Sequence, residues 1–264
     1  MRLPKVLLAV FLVAGQFQLS DAVSHATSAS ALETAGIEPT GELTVSAAAS
    51  LTESFTALGR QFRQRHPKVR IRFNFASTSS LVAQVQSGAP VDLFASADMS
   101  SQDRLAASGH IVRSPRVFAR NTMQIAVKPG NPLGVRGVGD LSRVGVVALC
   151  NATVPCGIYA AAVLRLSNTV LPTSMITRAI DVKAALTSVS FGDADAAIVY
   201  ATDVKAAGKA VQGVVIPSAL NVKAMYGLSV IRGSTNHVVA QQFVHFVLSP
   251  NGRATLKEFG FLAP

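Results

Sequence analysis

The sequence predicts an α/β protein of two similar lobes joined by two extended crossings. Hydrophobic residues make up 49% of the 264 positions and charged residues only 14%. That is ample apolar material for a core and too little charge for a disordered chain. Strand-like runs alternate with helical runs over residues 42–109 and again over 144–217, the pattern of mostly parallel sheets flanked by helices. Two long extended stretches, near 118–126 and 216–228, interrupt this alternation. Paired crossings between two lobes form a hinge, and a ligand cleft lies between such lobes.

In order, "ELTVSA" reads as a strand. The helix after it places Leu51, Phe55, Leu58 and Phe62 on one face at spacings of three and four. "VRIRFNFA" alternates strictly and reads as a strand; "TSSLVAQVQSG" is a short helix stopped by Gly88. "VDLFASA" is a buried strand, and Asp98 caps the helix "SSQDRLAASG", which Gly109 ends. "RVFARNTMQIAVKPGNP" is one extended run closed by a Pro/Gly turn. The second alternation has strands at "VGVVAL", "ITRAI", "AAIVY" and "VQGVVIP", with helices at "GIYAAAVLRLS", "VKAALTSVSFG" and "TDVKAAG". After the extended run "AMYGLSVIRG", two C-terminal helices divided at "SPNG" return to the first lobe. Lobe I thus spans 41–122 and 220–264, and lobe II spans 123–219.

Residues 1–26 form a unit of their own. Arg2 and Lys5 precede an apolar run from Val6 to Phe17, and small residues follow at Ser20, Ala22, Ser24 and Ala26. This is the layout of a secretory signal peptide, too short for a comfortable membrane span. Residues 27–40 read as a flexible lead-in, and the mature chain is expected to be exported, in the periplasm or at the outer face of the cell membrane. In that setting the even cysteine count, Cys150 and Cys156, predicts a disulfide, with two free thiols as the alternative. The formal net charge is +10, but Lys and Arg are scattered singly, so no nucleic-acid partner is expected. With no Trp and 6% aromatics, a stacking platform for bases or sugars is excluded too.

The junction "SAAASL" concentrates small residues between the first strand and its helix. In open parallel sheets, ligands sit outside the carboxyl ends of the strands. A helix start there presents unpaired N–H groups and partial positive charge, and small side chains let an anion reach them. Ser50 adds a hydroxyl donor, or simply caps its helix. The arrangement recurs: Ser77, Thr78, Ser79 and Ser80 in "FASTSS", Cys156 and Gly157 in "VPCG", Asp181 and Val182 in "IDVKAAL", and Tyr200 at the end of "AIVY". Five strand ends offering mainly neutral donors suit a tetrahedral oxyanion.

"TVSAAASLTESF", "FASTSSLVAQVQSGAPVDLFASAD", "VPCGIYA" and "ADAAIVYATDV" together resemble the periplasmic molybdate-binding proteins of bacterial ABC importers, over about residues 42–264. The resemblance implies a type II periplasmic binding protein, a molybdate or tungstate ligand, no cofactor, a membrane permease as partner and a monomer. It puts the ligand contacts on Ser50, Thr78, Cys156, Val182 and Tyr200, with Cys156 and Val182 acting through backbone N–H. The molybdenum would have no direct protein ligand. Thr78 stands where the family commonly has serine, so Ser77 and Ser79 are additional candidates. Cys156 stands where alanine is frequent, and a bond to Cys150 would stiffen its loop. Asp181 is expected to cap the helix beginning at Val182 rather than face the ligand. The alternatives are another tetrahedral oxyanion such as sulfate, or an exported hydrolase. An iron site would need tyrosines with carboxylates, and only Tyr159, Tyr200 and Tyr226 exist. No Gly-x-Ser-x-Gly, His-Glu-x-x-His or Walker loop supports an enzyme.

Overall fold

In the computed structural model, which describes residues 39–264, two parallel three-stranded blocks flank a central antiparallel pair. The first block comprises β1 (Gly41–Ala48), β2 (Val69–Ala76) and β3 (Leu93–Ser96). Helices α1 (Thr52–Arg65) and α2 (Thr78–Gln86) connect them, and α3 (Met99–Ala107) follows β3. The central pair is β4 (Arg116–Val127) with β9 (Lys223–Val230). The second block is β5 (Val147–Cys150), β6 (Ile176–Ala179) and β7 (Ala196–Tyr200), with α4 (Pro155–Leu166), α5 (Val182–Ser190) and α6 (Ala201–Ala207). β8 (Gln212–Val215) pairs with β4. The chain ends in α7 (His237–Leu248) and α8 (Pro250–Glu258). The expected export signal, and all of the lead-in but its last two positions, lie outside the described residues.

The strand order is β2-β1-β3-β9-β4-β7-β5-β6. Pairing is parallel wherever a helix connects neighbouring strands, as at β1–β2 and β5–β6, because a crossover helix returns the chain in the same direction. β4 spans both blocks. Its Arg116–Thr122 part pairs with β9, and its Met123–Val127 part pairs with β7 and β8.

The predicted apolar face of α1 is the buried one. Leu51, Phe55, Leu58 and Phe62 are all at most 1% exposed, each burial contributing about 1.5–3 kcal/mol. Phe243 of α7 meets the Phe62 ring edge-on at 5.2 Å and the Phe55 ring at 6.2 Å. Thr255 of α8 donates to Gln61 at 3.1 Å. The C-terminal helices therefore pack against α1 beside the first block.

Two strand boundaries differ from expectation. The crossing expected near 216–228 is strand only in part: the run "AMYGLSVIRG" falls largely in β9, which begins at Lys223, and 216–222 is not strand. Pro217 has no N–H to continue a ladder, and a 3-10 turn follows at Ser218–Leu220. Asn221 takes over the pairing with its side chain, accepting from Met123 N at 3.0 Å and donating to Met123 O at 2.8 Å. β5 starts at Val147 rather than Val144, because the N–H groups of Gly145 and Val146 are used by the Asp195 carboxylate, each at 2.9 Å.

Candidate functional site

A compact cavity lies at the carboxyl ends of the strands of both blocks. Its floor is Ala48, Ala49 and Ser50 at the end of β1, with Ala76, Ser77 and Thr78 at the end of β2, and Ala97 after β3. The opposite wall is Val154, Pro155 and Cys156 at the start of α4, Asp181 and Val182 at the start of α5, and Tyr200 ending β7. All five residues singled out in the sequence, Ser50, Thr78, Cys156, Val182 and Tyr200, are brought together here. The space a water-sized centre can occupy is about 20 Å³. One water needs about 10–15 Å³ by this measure, so the cavity suits one small ion rather than a sugar or a peptide.

Each donor owes its availability to local structure. Thr78, Cys156 and Val182 open α2, α4 and α5, where first-turn N–H groups have no acceptor within the helix. Pro155 occupies the first position of α4, where a missing N–H costs nothing, so Cys156 offers the first amide. Thr78 Oγ1 accepts from Ala97 N at 3.2 Å, and its own O–H hydrogen is left to donate elsewhere. Ser50 lies in a 3-10 turn, Ala49–Leu51, ahead of α1 rather than at the start of the α-helix itself. It makes no side-chain cap; its hydroxyl is bonded to Tyr226 Oη at 2.8 Å.

The additional candidates divide. Ser77 lines the cavity, but its Oγ caps α2 by accepting from Ser80 N at 3.3 Å. Ser79 is not in the wall; its hydroxyl donates to Thr153 O at 2.8 Å, tying the start of α2 to the loop before α4. Asp181 does cap α5, accepting from Ala184 N at 2.9 Å, and it also forms part of the wall.

The Tyr200 hydroxyl is the one group whose isolation points to a ligand. The residue is 1% exposed, and its oxygen has no hydrogen-bond partner among the described residues. Burial above all pushes its pKa well up, so the phenol remains a neutral O–H donor. An unpaired buried hydroxyl costs about 1–3 kcal/mol and is costly to keep without a purpose. Among the described residues, no Lys or Arg lines the cavity. Its donors are uncharged, and helix starts supply the positive potential.

The loop before α4 is held by the predicted Cys150–Cys156 disulfide. Arg178 Nη1 donates to Cys150 O at 3.0 Å. Across the cavity rim, Tyr159 Oη donates to Ala97 O at 3.3 Å. Lys183 Nζ donates to both Glu53 oxygens, at 2.9 and 2.8 Å, and stands 3.0 Å from Asp203 Oδ1. The last contact is an ion pair without an aligned hydrogen bond. The sequence reading missed this trio because its members stand far apart in the chain and meet only through the fold.

A fold of two parallel blocks around a small cavity lined by uncharged donors is that of a class, the solute-binding proteins. The chain belongs to the bacterial extracellular solute-binding protein family, whose model matches residues 43–262. It is 37% identical over 224 residues to the molybdate-binding protein ModA of Mycobacterium tuberculosis, covering 84% of this chain and 85% of that one. The Azotobacter vinelandii periplasmic molybdate-binding protein superposes with a TM-score of 0.77 at 21% identity, over 84% of this chain and 99% of that one. The sulfate-binding protein SubI from Mycobacterium tuberculosis superposes with a TM-score of 0.75 at 20% identity, over 83% and 86%. At such identities these two structures share the fold, and the fold alone does not choose between the oxyanions.

Proposed function

We propose that this chain captures molybdate, and tungstate with it, and delivers the ion to the permease of an ABC importer. The ion sits between two hinged lobes, 41–122 with 220–264 and 123–219, and meets Ser50, Thr78, Cys156, Val182 and Tyr200. Cys156 and Val182 contribute backbone N–H. The protein acts as an exported monomer, binding its ligand without turning it over. No described helix is long and apolar enough to cross a membrane. One observation carries the reading: the buried Tyr200 hydroxyl, without a hydrogen-bond partner among the described residues, at a small cavity whose donors are uncharged.

The donor set explains selection. A fully ionised tetrahedral dianion has acceptors on every oxygen, and each bond to it is charge-assisted. Hydrogenphosphate also carries a proton that needs an acceptor; the carboxylate in the wall, Asp181, is engaged in capping α5, and leaving the proton unpaired costs about 1–3 kcal/mol. The ModA relative, at 37% identity, supports molybdate over sulfate. Sulfate, a smaller ion, would leave donors fixed for molybdate out of reach.

Titration calorimetry is the test. Molybdate and tungstate are expected to bind far more tightly than sulfate or phosphate. Tyr200→Phe should weaken molybdate roughly 10–100-fold, the worth of one hydrogen bond to a charged group. The ligand-free variant should melt at the same temperature or higher, because an unpaired hydroxyl has been removed. Unchanged molybdate affinity in Tyr200→Phe would remove that contact from the site.

A further inference from the structure

Behind Ser50 runs a chain of buried polar groups. Tyr226 of β9 is fully buried, and Asn121 of β4 is 1% exposed. The Tyr226 ring is enclosed by Phe118, Tyr200 and Phe261, at centroid distances of 6.1, 5.8 and 5.2 Å. Its hydroxyl meets two polar atoms: Ser50 Oγ at 2.8 Å and Asn121 Nδ2 at a longer 3.4 Å.

The direction of these bonds follows from the amide. Asn121 Oδ1 accepts from Thr122 N at 2.9 Å, so Nδ2 must face the other way. There it donates to Thr202 Oγ1 at 2.8 Å and to Tyr226 Oη. An amide nitrogen cannot accept. Among the described residues, the only acceptor within reach of the Tyr226 O–H is therefore Ser50 Oγ. The reverse arrangement, Ser50 donating to Tyr226, would leave the phenol hydrogen unpaired among aromatic rings. Tyr226 thus donates to Ser50, and the Ser50 hydrogen turns to the cavity that Ser50 lines.

We propose that Tyr226, oriented by Asn121, is a positioning residue that holds Ser50 as a hydrogen donor toward the bound oxyanion and so withholds it as the acceptor a protonated oxyanion would need. The proposal rests on the molybdate reading above. It places the specificity of a ligand contact in two side chains on the crossing strands β4 and β9, neither of which lines the cavity.

A double-mutant cycle tests it, with molybdate and phosphate titrated calorimetrically into the full chain, Ser50→Ala, Tyr226→Phe and the double variant. Tyr226→Phe is expected to weaken molybdate about tenfold in the wild-type background and less than about twofold in Ser50→Ala. The preference for molybdate over phosphate should narrow in Tyr226→Phe, because Ser50 can then accept a proton's bond. An equal loss in both backgrounds, or no loss in either, overturns the relay while leaving molybdate binding intact. A wild-type chain that does not bind molybdate overturns the underlying reading instead.

Discussion

Lys183→Met is expected to lower the unfolding free energy by roughly 2–3 kcal/mol at pH 8 and by less than about 1 kcal/mol at pH 5. Asp203 is completely buried, and the Lys183 ammonium 3.0 Å away is its compensating charge. Breaking a buried pair costs about 3–5 kcal/mol, but the stranded carboxylate escapes part of this by taking up a proton. Burial, partly offset by Lys183, already raises the Asp203 pKa from 3.8 to about 6. This folded value lies above the unfolded one. Asp203 therefore favours the folded chain increasingly as the pH falls through about 6 and opposes folding above it. Losing the ammonium raises the pKa further, so the added penalty appears above pH 6 and fades where Asp203 is protonated in both proteins. For Lys183 itself, burial works against the charge, but Asp203 and Glu53 outweigh it and its pKa is raised. Its charge is constant between pH 5 and 8. The remaining Lys183–Glu53 pair is partly exposed and worth at most about 1 kcal/mol. Urea unfolding at the two pH values decides the matter, and equal losses at both would refute the role given to Asp203.

Gly157→Ala is expected to weaken molybdate at least tenfold and to destabilise the protein by roughly 1–3 kcal/mol. A Cβ at this position would overlap the Asn151 carbonyl and come within 2.9 Å of the Cys150 oxygen. Both are backbone atoms of a loop tied down by the disulfide and by Arg178, so neither can yield without moving the start of α4. The Cys156 amide is one residue away and would move with it. The readouts are molybdate calorimetry and thermal melting. Wild-type affinity in this variant would show that the Cys156 amide is not a contact.

Much of this was legible in the sequence, and for identifiable reasons. The Leu51–Phe62 face and the Gly88 and Gly109 stops are local signals that tertiary packing reinforced. The small-residue junctions marked the cavity wall because close approach to a helix start requires them. Local signals failed where side chains replace backbone partners. Asp195 shortens β5 and Asn221 delays β9, and no spacing rule announces either. Ser50 read as a hydroxyl donor or a helix cap, and nothing local announced that its hydroxyl is engaged by Tyr226, 176 positions away. Lys183 and Glu53 are 130 positions apart. Ser77 and Ser79 were additional candidates beside Thr78, and the helix geometry turns one to capping and the other out of the wall.

A crystal grown with tungstate, with anomalous scattering used to find the metal, tests the central claim most directly. One strong peak is expected in the cavity between the two blocks, with the oxo groups within hydrogen-bond distance of the Ser50, Thr78 and Tyr200 hydroxyls and the Cys156 and Val182 amides. A peak elsewhere, or an oxyanion held by lysine or arginine side chains, would contradict it.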